Sequence, residues 1–389
     1  MTRWDALTTI CGDLRAGLLG GQREVERGVP WELIIEVSSF HYVTPTLAWC
    51  LSDDATVPSD VRDYFAAMAS LNSERNERML ATLARTTSIL NAIDIEPVLL
   101  KGAAYLVEGI YPEPGLRILG DIDILIPRDR GATAVAALRA AGFGEMLSDV
   151  VPPPSHHHLP TLHDPVTGTG VELHTDVMSR APDAVIATSW FCEMTRPAVF
   201  RDGRVRLPDP TRNLAHAIFH GEIFHSNYAA KKTQLRYLLD VAMLRKRHGP
   251  AIDWNDIDRR FGAAGVGEVL ATHLAFAAAL LGQPAPTLSH GPREGALAEL
   301  CSTESRDSFA SQIERLKGAC DWLLTEWGRV IASRDRIQAE FERTVAAHAQ
   351  AESERAEATR ALDLVRASRS WRFTAPLRAI LGASRRWRQ

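Results

Sequence analysis

Along Gly120-Asp121-Ile122-Asp123-Ile124-Leu125-Ile126, acids alternate with isoleucines before the run turns wholly apolar. Successive side chains of a strand point to opposite faces. A strand here therefore places Asp121 and Asp123 on one face and Ile122 and Ile124 on the other, against a core. Two carboxylates held side by side in a partly dry site repel each other, and a divalent cation is the usual remedy. The pair predicts a Mg²⁺ site, with Mn²⁺ as the alternative ion. An edge strand with a solvated polar face is the plain alternative.

The flanking residues bear on that choice. Pro97-Val98-Leu99-Leu100-Lys101-Gly102 reads as a short buried strand ending in glycine, followed by a helical turn or two over Ala103 to Tyr111. Arg117 stands four residues before Asp121. Downstream, Gly168-Thr169-Gly170 opens a strand, Val171-Glu172-Leu173-His174, in which Glu172 and His174 share a face. A third acid on a neighbouring strand is what a two-metal phosphoryl or nucleotidyl transfer site requires. The carboxylates bridge the ions, and the ions bind a triphosphate and acidify an attacking hydroxyl.

Leu100-Lys101-Gly102, Tyr111, Arg117, Asp121 to Ile126, His157-His158 and Val171 to His174 together resemble the bacterial uncharacterised nucleotidyltransferase family, of the DNA polymerase beta-type superfamily. The likeness runs from about Trp31 to about Leu270. It implies an α+β fold, with a small mixed-sheet nucleotidyltransferase core between N-terminal and C-terminal helical regions. It also implies a nucleoside triphosphate, ATP foremost, and an unidentified acceptor as substrates. Asp121, Asp123 and Glu172 would be catalytic and metal-binding, and Lys101, Gly102, Arg117, His158 and His174 would meet the nucleotide. One departure stands out: the superfamily's Gly-Ser or Gly-Gly pair lies nearer the first aspartate, whereas Gly102 precedes Ala103 and lies 19 residues before Asp121. The missing serine removes a hydroxyl donor, leaving the phosphates to Lys101, Arg117 or backbone N–H groups opening the next helix.

The 389 residues, 46% of them apolar, suffice for two domains and an appendage. A net charge of −4 excludes a protein that coats nucleic acid through a general positive surplus. Cys11, Cys50, Cys192, Cys301 and Cys320 are scattered without Cys-x-x-Cys spacing and read as reduced, buried thiols. The start lacks a signal-peptide pattern, and no run of about 18 apolar residues occurs, so the body is expected in the cytoplasm.

Periodicity divides the chain into a helical region over 1–93, an α/β core over 94–207, a helical domain over 208–318, a long helix or coiled coil over 319–366 and a basic amphipathic tail over 367–389. In the first region, helices are expected around Trp31 and Thr46 and from Ser73 to Ile93. The core is expected to hold strands 97–101 and 121–126, helices 103–111 and 131–141, the Glu172 strand and a hairpin around Asp202-Gly203. Further helices are expected from Thr211 towards Phe224, from Gln234 to His248, from near Trp254, and from Gly267 to Leu281. His216 and His220, four apart on one of these, open a zinc reading. Without a glutamate between them, histidines lining the substrate pocket fit better. Lys231, Lys232 and Arg236 read as phosphate contacts or solvated surface, and Asp240 as a site residue or a bond to a neighbouring helix.

In the tail, Ile337, Phe341, Thr344, His348, Ala351, Arg355, Ala358, Leu362 and Val365 form a heptad seam with a polar middle. Either a coiled-coil homodimer or a lone surface helix fits it. From Arg366 onward there are seven arginines and no acid, interleaved with Trp371, Phe373, Leu377, Ile380, Leu381 and Trp387. That is the makeup of a helix lying on anionic lipid, here the inner face of the membrane. The stretch also resembles the Ser-Trp-Arg-x-Thr-x-Pro-Leu-Arg ending of surface-polysaccharide glycosyltransferases, which implies an acceptor in glycan or secondary-metabolite synthesis. Two rival readings stay open: a non-catalytic nucleotide-binding adaptor that recruits glycan-assembly enzymes, and a toxin- or antitoxin-type nucleotidyltransferase acting on tRNA.

Overall fold

The computed structural model describes residues 2–22, 28–145, 159–178, 183–306 and the single positions 343, 350, 355, 357, 359 and 360. By its contacts the chain divides into residues 1–307 and 308–389. The first unit opens with four helices, α1 (Arg3–Leu19), α2 (Trp31–Phe40), α3 (Thr44–Cys50) and α4 (Ser59–Asn91). A capping box starts α1: the Thr2 hydroxyl accepts from the Asp5 N–H, and the Asp5 carboxylate accepts from the Thr2 N–H. The 33 residues of α4 extend about 50 Å and begin well before Ser73, where periodicity alone would start the helix. The apolar stripe is interrupted at Asn72 and Asn76, buried polar residues whose side-chain amides donate to the carbonyls of Pro114, Gly115 and Arg117. The interruption that hides the helix in the sequence is what pins the segment leading to Asp121.

The core follows in the order β1 (Val98–Leu99), α5 (Lys101–Glu108), β2 (Ile122–Leu125), α6 (Gly131–Ala140), β3 (Gly144–Glu145), β4 (Leu162–His163), β5 (Gly170–His174), α7 (Asp183–Ile186), α8 (Thr188–Glu193), β6 (Arg196–Phe200) and β7 (Gly203–Leu207). Its sheet runs β3-β4-β5-β2-β1-β7-β6, with β2 parallel to β5 and antiparallel to β1. This is the mixed sheet of the α+β expectation. Ile122, Ile124, Val171 and Leu173 are at most 1% exposed, each stabilising the fold by about 2 kcal/mol. A one-residue slip of β2 would turn its aspartate into that apolar layer, so burial fixes the register on which the site depends.

Two boundaries differ from the sequence reading. Lys101 belongs to α5 rather than to the strand before it, and adopts a left-handed φ of 46° as the helix opens. The hairpin turns at Arg201-Asp202, and Gly203 pairs with Phe200. Gly203 serves close packing: a Cβ there would stand 2.5 Å from the Thr87 methyl on α4.

Helices then resume as α9 (Pro210–Phe219), α10 (Leu235–His248), α11 (Trp254–Ala263), α12 (Gly267–Leu281) and α13 (Ala296–Arg306). Asp209 caps α9 by accepting from the Thr211 and Arg212 N–H groups, with Pro210 in the first turn. A π-helical turn over His220–Phe224 extends it. Because α1 packs on α10 and α12, the N-terminal and C-terminal helices share a core. Cys11 is buried as expected, but Cys192 is exposed, since Trp190 and Phe191 take the inward face of α8. Cys320 lies outside the described residues.

His41 ties α2 to α10 by accepting the Leu235 N–H at 3.2 Å on Nδ1. Burial, helped by the Arg3 guanidinium, lowers its pKa to about 3, outweighing the Glu304 carboxylate 4.0 Å from Nε2. The unfolded chain takes up that proton below pH about 6.5 while the fold resists it down to about pH 3, so stability declines as pH falls between those values. His41→Asn cannot titrate. Its stability deficit against wild type is therefore expected to shrink by about 2 kcal/mol between pH 7 and pH 5, read from urea unfolding. A deficit independent of pH would remove His41 as the cause.

The coiled-coil seam and the basic tail lie outside the described residues, apart from helical positions such as Thr359, whose hydroxyl donates to the Arg355 carbonyl at 2.8 Å. No described helix is long and apolar enough to cross a membrane.

Candidate active site

Parallel pairing of β2 with β5 sets Asp123 opposite Glu172 and Leu125 opposite His174. The pleat turns Asp123 and Glu172 to the same face, so two of the expected acids meet as neighbours on adjacent strands. Asp123 is 4% exposed, and its Oδ1 receives both the Lys101 ammonium at 2.7 Å and the His174 ring Nε2 at 2.8 Å. Nε2 of His174 also lies 3.8 Å from Glu172 Oε2, and the Thr161 hydroxyl donates to Glu172 Oε1 at 3.3 Å. Among the described residues, the group able to hold a metal ion is Asp123, Glu172 and His174, whose ligand atoms lie within 4.8 Å of one another. Asp121 stands just before the strand and lines the same cavity. His216 and His220 are not part of a metal-competent group among the described residues.

The electrostatics follow from this crowding. Burial, then the charges of Asp123 and Glu172, pushes the Asp121 carboxyl up to about 6. Burial also works against the Asp123 charge, but Lys101 and His174 prevail and hold that carboxyl well below its usual range. Conversely, burial disfavours charge on Lys101 and His174, yet the bonds they make to the acids raise both pKa values. A donor set of one aspartate, a glutamate and an imidazole fits a hard divalent cation, and Asp121, expected among the ligands, lines the cavity beside that group without belonging to it. The Lys101 ammonium, 2.7 Å from Asp123, supplies positive charge beside the acids.

Lys101, Gly102 and Arg117, expected at the nucleotide, line the same cavity as the acids. Arg117 is buried, and its Nε and Nη2 donate to the two oxygens of Asp240, each at 2.8 Å. The Tyr111 hydroxyl donates to the same carboxylate at 2.8 Å, and the guanidinium lies 5.1 Å over the Tyr105 ring. The charge of Arg117 is thus matched by Asp240, and the pair ties the approach to the acids onto α10. Gly102 serves this packing, since a Cβ there would come within 2.6 Å of Arg117 Nη1 and 2.8 Å of Leu119. His158 lies outside the described residues. Lys231 sits on the surface, paired with Glu299 at 2.8 Å, as the solvated reading holds.

Opposite the acids, a cavity of about 320 Å³ is walled by the π-helical turn and α10. His220 stacks on Phe224, and His225 on Tyr237, at interplanar angles of 14° and 17°. Arg236 lies 4.9 Å over Tyr42 and 4.8 Å over Tyr237. Burial foremost, then the Lys101 charge, lowers the pKa of His220 and His225, so both rings present neutral faces. This wall was legible only as a vague cluster of histidines. Its signal is the spacing His220, Phe224, His225, which a regular helix spreads and a π turn gathers on one side.

A family model described as "Uncharacterised nucleotidyltransferase" matches residues 27–282, about two thirds of the chain. A crystal structure of an antigenic nucleotidyltransferase-like protein from Paracoccidioides brasiliensis is 15% identical with a TM-score of 0.36, over 54% of this chain and 95% of that one. No protein of curated function matches the chain. The family match spans the strand of paired acids, the Glu172 strand and the helices that wall the cavity, and on that extent the chain belongs to the uncharacterised nucleotidyltransferase family and is a transferase.

Proposed function

We propose that the protein moves a nucleoside monophosphate from an NTP, ATP foremost, to an acceptor hydroxyl or phosphate, with Mg²⁺ or Mn²⁺ held by Asp121, Asp123 and Glu172. The observation that carries this reading is the register of Asp123 beside Glu172 at the mouth of a cavity that Asp121 also lines. His174 stands close enough to serve as a further ligand or to orient Asp123. The chemistry a divalent ion supplies there is neutralisation of triphosphate charge and acidification of the attacking group.

The chain's own residues account for the rest. An acceptor oxygen attacks the α-phosphorus, a new O–P bond forms, and the bond to the bridging oxygen breaks, so pyrophosphate leaves with the electron pair. Glu172, the more exposed of the two paired acids, takes the acceptor proton. Lys101, close enough to bond Asp123, turns its ammonium to the phosphates once that carboxylate is otherwise neutralised. Gly102 lets α5 lie against Arg117, which holds the cavity wall through Asp240. Phe224, stacked on His220 and exposed at the cavity, offers a flat face to a nucleobase.

The tail composition favours a glycan, lipid-linked or secondary-metabolite acceptor, and a peripheral position at the inner membrane face. The reading is tested by pyrophosphate release from each NTP against a panel of hydroxyl- and phosphate-bearing acceptors. Mg²⁺-dependent release with one NTP preferred is the expected result. Nucleotide binding without release for any acceptor class would favour the adaptor.

A further inference from the structure

The acids border a second hollow as well as the aromatic cavity. Gly120, Asp121 and Glu172 also line a groove of about 430 Å³ whose other walls are α4, through Arg75 and Arg78, the loop between β4 and β5, through Thr167 and Thr169, and Thr161 just before β4. The loop is fastened to α4: Asp164, 1% exposed, accepts from the Thr82 hydroxyl at 3.0 Å and from Arg85 at 2.5 Å. The groove therefore has two braced sides. A transferase needs two substrates at one set of acids, and these acids face two cavities.

Cationic charge differs between the two. In the aromatic cavity, Lys101 is matched by Asp123 and Arg117 by Asp240. In the groove, among the described residues, neither Arg75 nor Arg78 forms an ion pair; Arg75 donates to the Gly120 carbonyl at 3.3 Å and feels the Asp121 charge beyond ion-pair distance. Two like charges three residues apart on a helix repel each other, an arrangement that an anion between them relieves. The hollow suits a small molecule, and the net charge of −4 does not favour a nucleic-acid polymer.

We infer that the groove between Arg75, Arg78 and the β4–β5 loop is the acceptor subsite, and that it takes a small phosphate-bearing acceptor that meets the nucleotide at Asp121 and Glu172. The assignment rests on the nucleotidyl-transfer reading for the word acceptor, but the anion site itself does not. The test is ³¹P NMR titration of inorganic phosphate into the full chain with Mg²⁺ and saturating α,β-methylene ATP, alongside calorimetry of the analogue alone. In Arg75→Ala/Arg78→Ala, and in Arg78→Glu where the altered side chain is exposed and folding is not at risk, the phosphate Kd is expected to rise about tenfold or more. The analogue Kd should change less than about threefold. Unchanged phosphate affinity in both variants overturns the inference. So does competition between phosphate and analogue, with both weakened by the substitutions, because the arginines would then serve the triphosphate. Displacement of phosphate by a short single-stranded RNA through the same arginines overturns the small-molecule assignment. Phosphate binding lost in the variants, with no analogue binding even in wild type, supports the anion site and sinks the nucleotide reading instead.

Discussion

Asp123→Asn is expected to lower pyrophosphate release by on the order of 10³-fold in a protein that remains folded. Asparagine keeps the shape of the side chain and one oxygen able to accept from Lys101 or His174, which now meet Oδ1 at 2.7 and 2.8 Å. What it removes is the negative charge that binds the cation, worth several kcal/mol in the transition state at about 1.4 kcal/mol per decade of rate. The comparison is the steady-state rate at saturating NTP, with thermal unfolding followed by circular dichroism on the same samples. A variant that keeps more than about a tenth of the wild-type rate takes Asp123 out of the chemistry.

Asp240→Ala is expected to destabilise the fold by about 3 to 5 kcal/mol, the cost of leaving a buried guanidinium without its counter-charge. Asp240 is 2% exposed and accepts from Arg117 twice and from Tyr111 once, all at 2.8 Å. Burial alone works against charge on Arg117, and Asp240 reverses that, raising the pKa of the guanidinium. Replacing both partners with apolar residues, Arg117→Met with Asp240→Leu, should cost less than Asp240→Ala alone, because no orphaned charge remains. Guanidinium unfolding of the three chains decides this. A loss below about 1 kcal/mol for Asp240→Ala would show that water reaches Arg117 and that the pair is not structural.

How far the sequence reveals this site depends on whether each signal is local. Asp123 and Glu172 fall in segments whose acids alternate with apolar residues, so the face each takes is readable before the strands are paired, although β2 is buried throughout and Asp121 stands just before it. The helices from Pro210 to Leu281 are bounded by Asp209, Gly249-Pro250, Asp253 and Gly282, and they end within a residue or two of where caps and breakers place them. The partner of Arg117 was not readable: Asp240 is 123 residues away, and nothing local distinguishes an arginine aimed at phosphate from one aimed at a carboxylate. Arg75 and Arg78 were missed for a similar reason, since on a long helix they resemble an ordinary solvated face until the loop after β4 is seen opposite them. The early start of α4 was hidden by Asn72 and Asn76, whose polarity breaks the apolar stripe while their amides hold the turn before Arg117.

The most direct test of the whole account is a crystal of the protein grown with Mn²⁺ and α,β-methylene ATP, with the metal located by its anomalous scattering. The account predicts a Mn²⁺ peak bonded to Asp121 and Asp123 with Glu172 on the same ion or a second one, and the nucleotide phosphates beside Lys101. A bound nucleotide whose phosphates lie away from these acids, or an anomalous map with no peak there while Lys101 stays on Asp123, would contradict it.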